Sequence, residues 1–536
     1  MLRKVLIGLG ISLLAFGAVA LAQTAVPETP GAHVGGTLTI GVSQTFKDLD
    51  PRVSNSAYDS YVIGEIFDDL VALDVDTLAP IPQVAKSWEV LSDTVTRFYL
   101  NEGIKFSNGE ALTADDVAFT FNWIADPANG SPNATELIWM EKAVVVNDYT
   151  VDIVTKAEYA PYAPGFSTES RSIVPKDTVL QMGDEAFNLS PIGSGPYKLL
   201  EWKAGDRIVL VRNEDYWLVH PNLDRVVYRP IPELSVMMLE LESGGIDIAD
   251  NMPAQDVARF RANPNVDVPQ CASLSYFYIF FNMENSPSND IRFRKACYLS
   301  LDMDAAVFSI FQGITGVRAY GCIPPKLWAS DVDYLRDNVA LEEDDVEAKR
   351  LFQELKDDGV IPANYKFTIY CPLDPRRTQL ATILATEIKE NGLNTLVQPL
   401  DWGPLLDFFY GSEADPIRSQ VVVGLMGWSG GPDPHDFIYY MFTSENATLG
   451  DANNYAFYKN PVVDDLIFKA DTTLDQAERE RLFVEAQRLI YSDYPAIPAY
   501  HYVQTNGVRT RVHGFIVDPL GALNLCDPQH NIWVDG

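Results

Sequence analysis

The segment Gly427-Trp428-Ser429-Gly430-Gly431 satisfies G-x-S-x-G, the spacing that lifts a nucleophilic serine above a sheet in many hydrolases. Asp464, Asp518, His501 and His513 lie downstream, in the order such a triad requires. The elbow also needs a helix that begins at the serine, and Gly430-Gly431-Pro432-Asp433-Pro434 is a poor first turn, so a loop is expected in place of a hydrolase site. Metal chemistry finds less support. His33, His220, His435, His501, His513 and His530 show neither H-x-x-x-H nor H-E-x-x-H spacing, and Cys271, Cys297, Cys322, Cys371 and Cys526 contain no C-x-x-C pair. No G-x-x-x-x-G-K-[ST] occurs, so ATP hydrolysis is not expected of this chain. What remains is recognition chemistry. Arg376 and Arg377 open a predicted helix, where positive charge and free N–H groups attract a carboxylate; the competing reading is exposed arginines beside Asp374. Trp402 and Trp428 stand beside glycine and turn residues, as ligand-facing walls or as core, and Asp433 reads more readily as a loop or capping residue than as a ligand's counter-charge.

These residues must be positioned by regular elements. Thr37 to Val42 is β-rich, Leu49-Asp50-Pro51 breaks it, and Tyr58 to Leu70 has helical spacing. Thr113-Ala114-Asp115-Asp116 is a capping signal, followed by Val117, Phe121 and Ile124 on one face, which predicts a helix over 114–125. Strands are expected at Thr94–Leu100, Ala143–Val146 and Thr150–Val154. In the C-terminal half, Asp344 or Asp345 caps a helix with Ala348, Leu351, Phe352 and Leu355 inward and Gly359 past its end. Strand Tyr365–Tyr370, helix Arg377–Asn391, strand Thr395–Pro399, helix Leu405–Tyr410 and strand Gln420–Met426 follow, an alternation that predicts a largely parallel sheet. Asp475–Asp493 is a long amphipathic helix, and Pro495–Val503 returns to β character. Tyr276-Phe277-Tyr278-Ile279-Phe280-Phe281 reads as a buried strand.

With 536 residues, 47% of them hydrophobic, the chain can bury a large core in two or three domains. Its net charge of −34 repels phosphate backbones and anionic headgroups, which argues against nucleic acid or a membrane surface as main partner. Arg3 and Lys4 precede a long apolar stretch, Val5 to Ala22, ending in Ala20-Leu21-Ala22. This is the pattern of a cleavable export signal over 1–22, with a linker over 23–35; the Ala-x-Ala end weighs against a membrane anchor. Gln23, not cysteine, follows the cleavage point, so periplasmic release without a lipid anchor is expected. An odd cysteine count leaves at least one thiol unpaired.

Pro82-Gln83-Val84-Ala85-Lys86-Ser87-Trp88-Glu89, Phe98 through Gly109 (with Gly103-Ile104-Lys105-Phe106-Ser107-Asn108-Gly109) and Leu112-Thr113-Ala114-Asp115-Asp116-Val117 together resemble the bacterial extracellular solute-binding protein family 5, the oligopeptide-, dipeptide- and nickel-binding receptors of ABC importers. Pro191 to Tyr197, Asn213-Glu214-Asp215-Tyr216-Trp217, Glu242 to Asp247, Ile291 to Ala296, Asp433-Pro434 and Tyr494 to Pro498 extend the likeness over nearly the whole mature chain. It implies an α/β fold of two lobes closing on a solute, with an extra subdomain inserted in lobe I. By this analogy lobe I comprises 36–78, 196–280 and 503–536, the inserted subdomain 79–195, and lobe II 281–502.

The resemblance also implies a site. Asn55, Ser56 and Ala57 match a loop that lends main-chain groups to an extended peptide. Trp428, Ser429, Gly430 and Asp433 match the lobe II loop, and Arg376 and Arg377 lie about two residues before an arginine of dipeptide binders. Peptide-binding members carry an aspartate four residues before the proline matching Pro434; here that position is Gly430. The departure keeps an oligosaccharide, stacked on Trp428, beside peptides as ligand. The expected protein is a monomeric, non-catalytic receptor without metal or cofactor that delivers its ligand to a membrane permease.

Overall fold

The computed structural model describes residues 34–159, 164–167, 169–411, 421–448, 453–527 and 529–535. The predicted export signal and all but the end of its linker lie outside them. The sequence builds three larger sheets. Seven strands form the first, in the order Val266–Asp267, Gly507–Arg509, Ile248–Ala249, Thr37–Val42, Arg225–Pro230, Arg207–Arg212, Tyr197–Lys203. Thr37–Val42 runs parallel to both of its neighbours, so the carboxyl ends of three strands share one edge.

The second sheet orders Gln270–Ala272, Ala496–Thr505, Ser275–Phe281, Val423–Ser429, Lys366–Pro372 and Asn394–Leu400, with Gly316–Arg318 on the flank of Ala496–Thr505. Every residue of Ser275–Phe281 is buried, because apolar side chains on both faces are covered. Tyr276, Tyr278 and Phe280 enter one core cluster; Phe277, Ile279 and Phe281 enter the other. Only the pairings of Lys366–Pro372 are parallel, which corrects the expectation of a largely parallel sheet. The reason lies in connectivity: Ser275–Phe281 arrives from the first lobe and Ala496–Thr505 returns to it, and both run antiparallel to their partners. Gln270–Ala272 pairs with Val503–Thr505, so the two chain passes between the lobes lie side by side.

The third sheet is antiparallel, in the order Ala85–Ser92, Val95–Leu100, Thr150–Thr155, Met140–Asn147, and packs on helix Ala114–Ala125 around its own core. That helix begins at the expected capping box, Thr113 with Asp116. Two elements differ from expectation for a tertiary reason. The helix predicted over Tyr58–Leu70 is Ala57–Ile66, because buried Asp68 is held by the Tyr216 hydroxyl and the Trp217 indole, both at 2.9 Å. The strand predicted at Gln420–Met426 is Val423–Ser429, carried to Ser429 by its pairing with Ser275; Gln420 itself lies outside the described residues. All five cysteines are unpaired. Among the described residues no helix is long and apolar enough to cross a membrane.

Candidate ligand-binding site

In the second lobe, helix Pro375–Glu390 follows strand Lys366–Pro372 and buries Leu380 and Leu384 on one face of the sheet. Helix Trp402–Tyr410, which precedes Val423–Ser429, buries Leu405 and Phe409 on the other. Where neighbouring parallel strands send their helices to opposite faces, a crevice opens at their carboxyl ends. Two of the expected segments lie at that edge: Asp374 to Arg377, and Trp428 to Pro434, with Asp436 just beyond.

Asp374 caps the helix, accepting the N–H groups of Arg376 and Arg377 at 3.1 and 3.0 Å. Arg376 lies over the Tyr502 ring at 4.7 Å and Arg377 over Phe277 at 4.9 Å, which orients both guanidinium groups against aromatic faces. Arg377 Nε is buried without a hydrogen-bond partner. Trp402 is exposed and stands beyond the edge strand Asn394–Leu400.

The 427–434 loop divides its two acids. Asp433 is buried: it accepts the N–H of His435 at 2.9 Å just before helix His435–Phe442, and both its oxygens are held by Arg479 at 3.0 Å. That closed pair, with both partners 6% exposed, withdraws Asp433 from a ligand. Asp436, one turn on, reaches back instead. It accepts the Gly431 N–H at 2.8 Å, and a Cβ placed on Gly430 would lie 2.9 Å from the Asp436 Cβ and from the Phe437 ring. The Asp436 methylene and the Phe437 ring therefore fill the space that a side chain at 430 would need, and the Asp436 Oδ2 would lie 2.8 Å from a Cβ placed on Gly431. Burial raises the Asp436 pKa, with His435 opposing the rise, Asp433 adding to it, and the Arg171 guanidinium also opposing it. His435 binds Asp471 at 2.7 Å; burial alone would lower its pKa, and Asp471 turns the balance upward. Ser429 is exposed at the strand end, and the next helix begins only at His435, so no nucleophile elbow forms there.

The facing wall comes from the region of the four-stranded sheet. The Tyr159 ring meets His435 edge-on at 5.7 Å between centroids. Arg171 pairs with Glu136, and both Asp436 and Glu136 act on the Tyr440 hydroxyl, which burial first of all pushes up to about 12. The Asn55–Ala57 loop is tied to the same region. Asn133 donates its side-chain amide to the carbonyls of Pro51, Ser54 and Ser170 at 3.3, 2.9 and 3.3 Å, and Ser131 donates to that of Arg52 at 2.7 Å. Arg52 is wholly buried between Asp50 and Asp184, 4.4 Å over Trp123. Ser56 caps helix Ala57–Ile66, while Asn55 and Ala57 are exposed.

A two-lobed body with a cleft bounded by a charged loop, arginines at a helix start and an aromatic wall is the architecture of a solute-binding receptor. Residues 79–449 match the family described as bacterial extracellular solute-binding proteins, family 5 Middle, and the chain belongs to that family. It is 27% identical over 538 residues to the dipeptide-binding protein of Escherichia coli, covering 95% of this chain and 98% of that one. Among solved structures it is similar to HbpA2 from Haemophilus parasuis, with a TM-score of 0.83, 22% identity, and coverage of 93% of this chain and 100% of that one. It also resembles the periplasmic binding protein DppA from Helicobacter pylori in complex with peptide STSA, with a TM-score of 0.73, 25% identity, and coverage of 94% and 99%.

Sequence reasoning missed Asp436, Asn133, Tyr159 and Arg171. Asp436 carried a signal, since it lies two residues past Pro434 on the first turn of a short helix. The other three carried none: each matters through a contact between segments far apart in the chain.

Proposed function

We propose that this protein captures peptides between its lobes and delivers them to the permease of an ABC importer, whose ATPase is a separate chain. The observation that carries this reading is Asp436: its carboxylate accepts the Gly431 N–H, next to His435, whose ring meets Tyr159, and it offers the counter-charge that a peptide ammonium requires on leaving water. The similarity to peptide receptors supports the same ligand class. Asn55, Ser56 and Ala57 then lend main-chain groups to the extended ligand, Trp428 and Ser429 line the ammonium end, and Arg376 and Arg377 receive the carboxylate. In this reading the inserted subdomain spans 79–195, and the second lobe, expected over 281–502, takes in strand Ser275–Phe281 as well, since that strand is central to its sheet. Residues 1–22 direct export to the periplasm, where the receptor acts as a monomer and without bond-making chemistry. Closure is a shift of population supplied by the contacts a ligand makes only when both walls are in place.

Isothermal titration with Ala-Ala-Ala, its N-acetylated form and cellotriose tests the reading. The free tripeptide is expected to bind, acetylation to weaken it by about tenfold or more, and Asp436→Asn to remove that difference. Binding of cellotriose with no response to the tripeptide would overturn the peptide assignment.

A further inference from the structure

Tyr159 and His435 stand on opposite sides of the cleft and touch. His435 opens helix His435–Phe442 in the second lobe, whereas Tyr159 follows strand Thr150–Thr155 of the four-stranded sheet; their rings meet edge-on, 5.7 Å between centroids and 90° between planes. Each ring is fixed from its own side. Met140 pairs with Thr155, and the Lys156 N–H donates to the Trp139 carbonyl at 2.9 Å, so Trp139 and Tyr159 flank one end of a strand pair, and their rings stack at 5.3 Å. Trp139 is anchored in turn: its indole N–H donates to the Glu136 carbonyl at 2.9 Å, and its ring meets buried Phe166 at 5.4 Å.

His435 is 4% exposed. Burial opposes a charge on it, but Asp471 at 2.7 Å turns the balance towards the imidazolium. Tyr439 and Tyr440 of its own helix lie 4.5 and 5.6 Å away, and Tyr159 adds a third ring, so edge-to-face and cation–π attraction both act on it. The first two rings and Asp471 travel with His435 when the lobes part. Tyr159 does not, because the four-stranded sheet is tied by Asn133 and Ser131 to the loop at 51–54 of the first lobe. We infer that Tyr159 is an interlobe latch, which adds to ligand affinity by docking on His435 as the lobes close and not by touching the ligand. This rests on the reading of the protein as a receptor that closes on what it binds. A contact made only in the closed state raises the closed fraction, and apparent affinity rises with that fraction.

Isothermal titration with Ala-Ala-Ala and small-angle scattering test this in the wild type, Tyr159→Leu, Tyr159→Phe, His435→Gln and the combination of Tyr159→Leu with His435→Gln. Tyr159→Leu is expected to weaken binding about fivefold or more, and Tyr159→Phe, which keeps the ring, to restore it to within about twofold of the wild type. In the His435→Gln background the loss from Tyr159→Leu should shrink to less than about twofold, because its partner is gone. A loss of the same size in both backgrounds would mean that Tyr159 meets the ligand itself and would overturn the inference, as would unchanged binding by Tyr159→Leu. Should His435→Gln fail to fold, the radius of gyration decides: at equal ligand occupancy Tyr159→Leu should contract less than Tyr159→Phe, and equal contraction would overturn the latch. A wild type that binds cellotriose and not the tripeptide would overturn the peptide reading alone, with the same variants then read against cellotriose; one that binds neither would overturn both.

Discussion

Asp433 and Asp436 are three positions apart and are held differently. Asp433 is locked to Arg479 with both partners buried, so removing one leaves an uncompensated charge in the interior. Asp433→Ala is expected to cost about 3 kcal/mol or more of stability by urea unfolding. Asp436 has no such partner on its own lobe, and Asp436→Asn is expected to change stability by less than about 1 kcal/mol while weakening tripeptide binding about tenfold or more. Because burial raises the Asp436 pKa, affinity for an ammonium ligand should fall on acidification at a higher pH than an ordinary carboxylate would give. His501 supplies a stability signature. Wholly buried, it donates Nδ1–H to the Ser275 carbonyl at 2.6 Å, and its pKa is lowered to about 4. The unfolded chain takes up its proton below about 6.5 and the native state only below about 4, so stability is lost between those values as pH falls, by up to about 3 kcal/mol. His501→Gln should lessen the loss between pH 7 and pH 4.5; an unchanged acid slope in urea unfolding would refute this assignment.

At the level of elements, the site depends on a strand that stops at Ser429, a loop without side chains at Gly430 and Gly431, and a helix that starts at His435. Gly430 is required by close approach and not by backbone angle. Gly430→Ala would set a methyl 2.9 Å from Asp436 and from the Phe437 ring, so something must shift. A loss of about 1–3 kcal/mol in stability, together with reduced tripeptide affinity, is expected. Replacement by aspartate, the acid that the family resemblance leads one to expect at this position, should for the same reason fail to improve binding. The Asn55–Ala57 loop depends on buried polar clips rather than on propensity: Asn133 gathers three carbonyls from two segments.

For the whole molecule, the two passes at Gln270–Ala272 and Val503–Thr505 make a narrow antiparallel joint between two large sheets. Such a joint bends at few residues while the lobes keep their own cores. The radius of gyration from small-angle scattering is therefore expected to fall on saturation with Ala-Ala-Ala. The melting temperature should rise with ligand concentration as RT ln(1 + [L]/Kd) requires. A rise in melting temperature at constant radius would mean binding without closure.

From residues alone, the helix at Ala114–Ala125, the inward face Ala348, Leu351, Phe352 and Leu355, and the buried strand Ser275–Phe281 were legible, because caps, periods of 3.6 residues and continuous apolar runs act over a few positions. Family membership was legible for the same reason, through short motifs that keep their local spacing. Tertiary structure alone turned the second sheet mostly antiparallel, ended the helix at Ile66, locked Asp433 onto Arg479 and folded Asp436 back onto Gly431. Each of these is settled by pairing or charge between segments tens to hundreds of residues apart, and the free energy of such contacts exists only once the chain has brought its distant parts together.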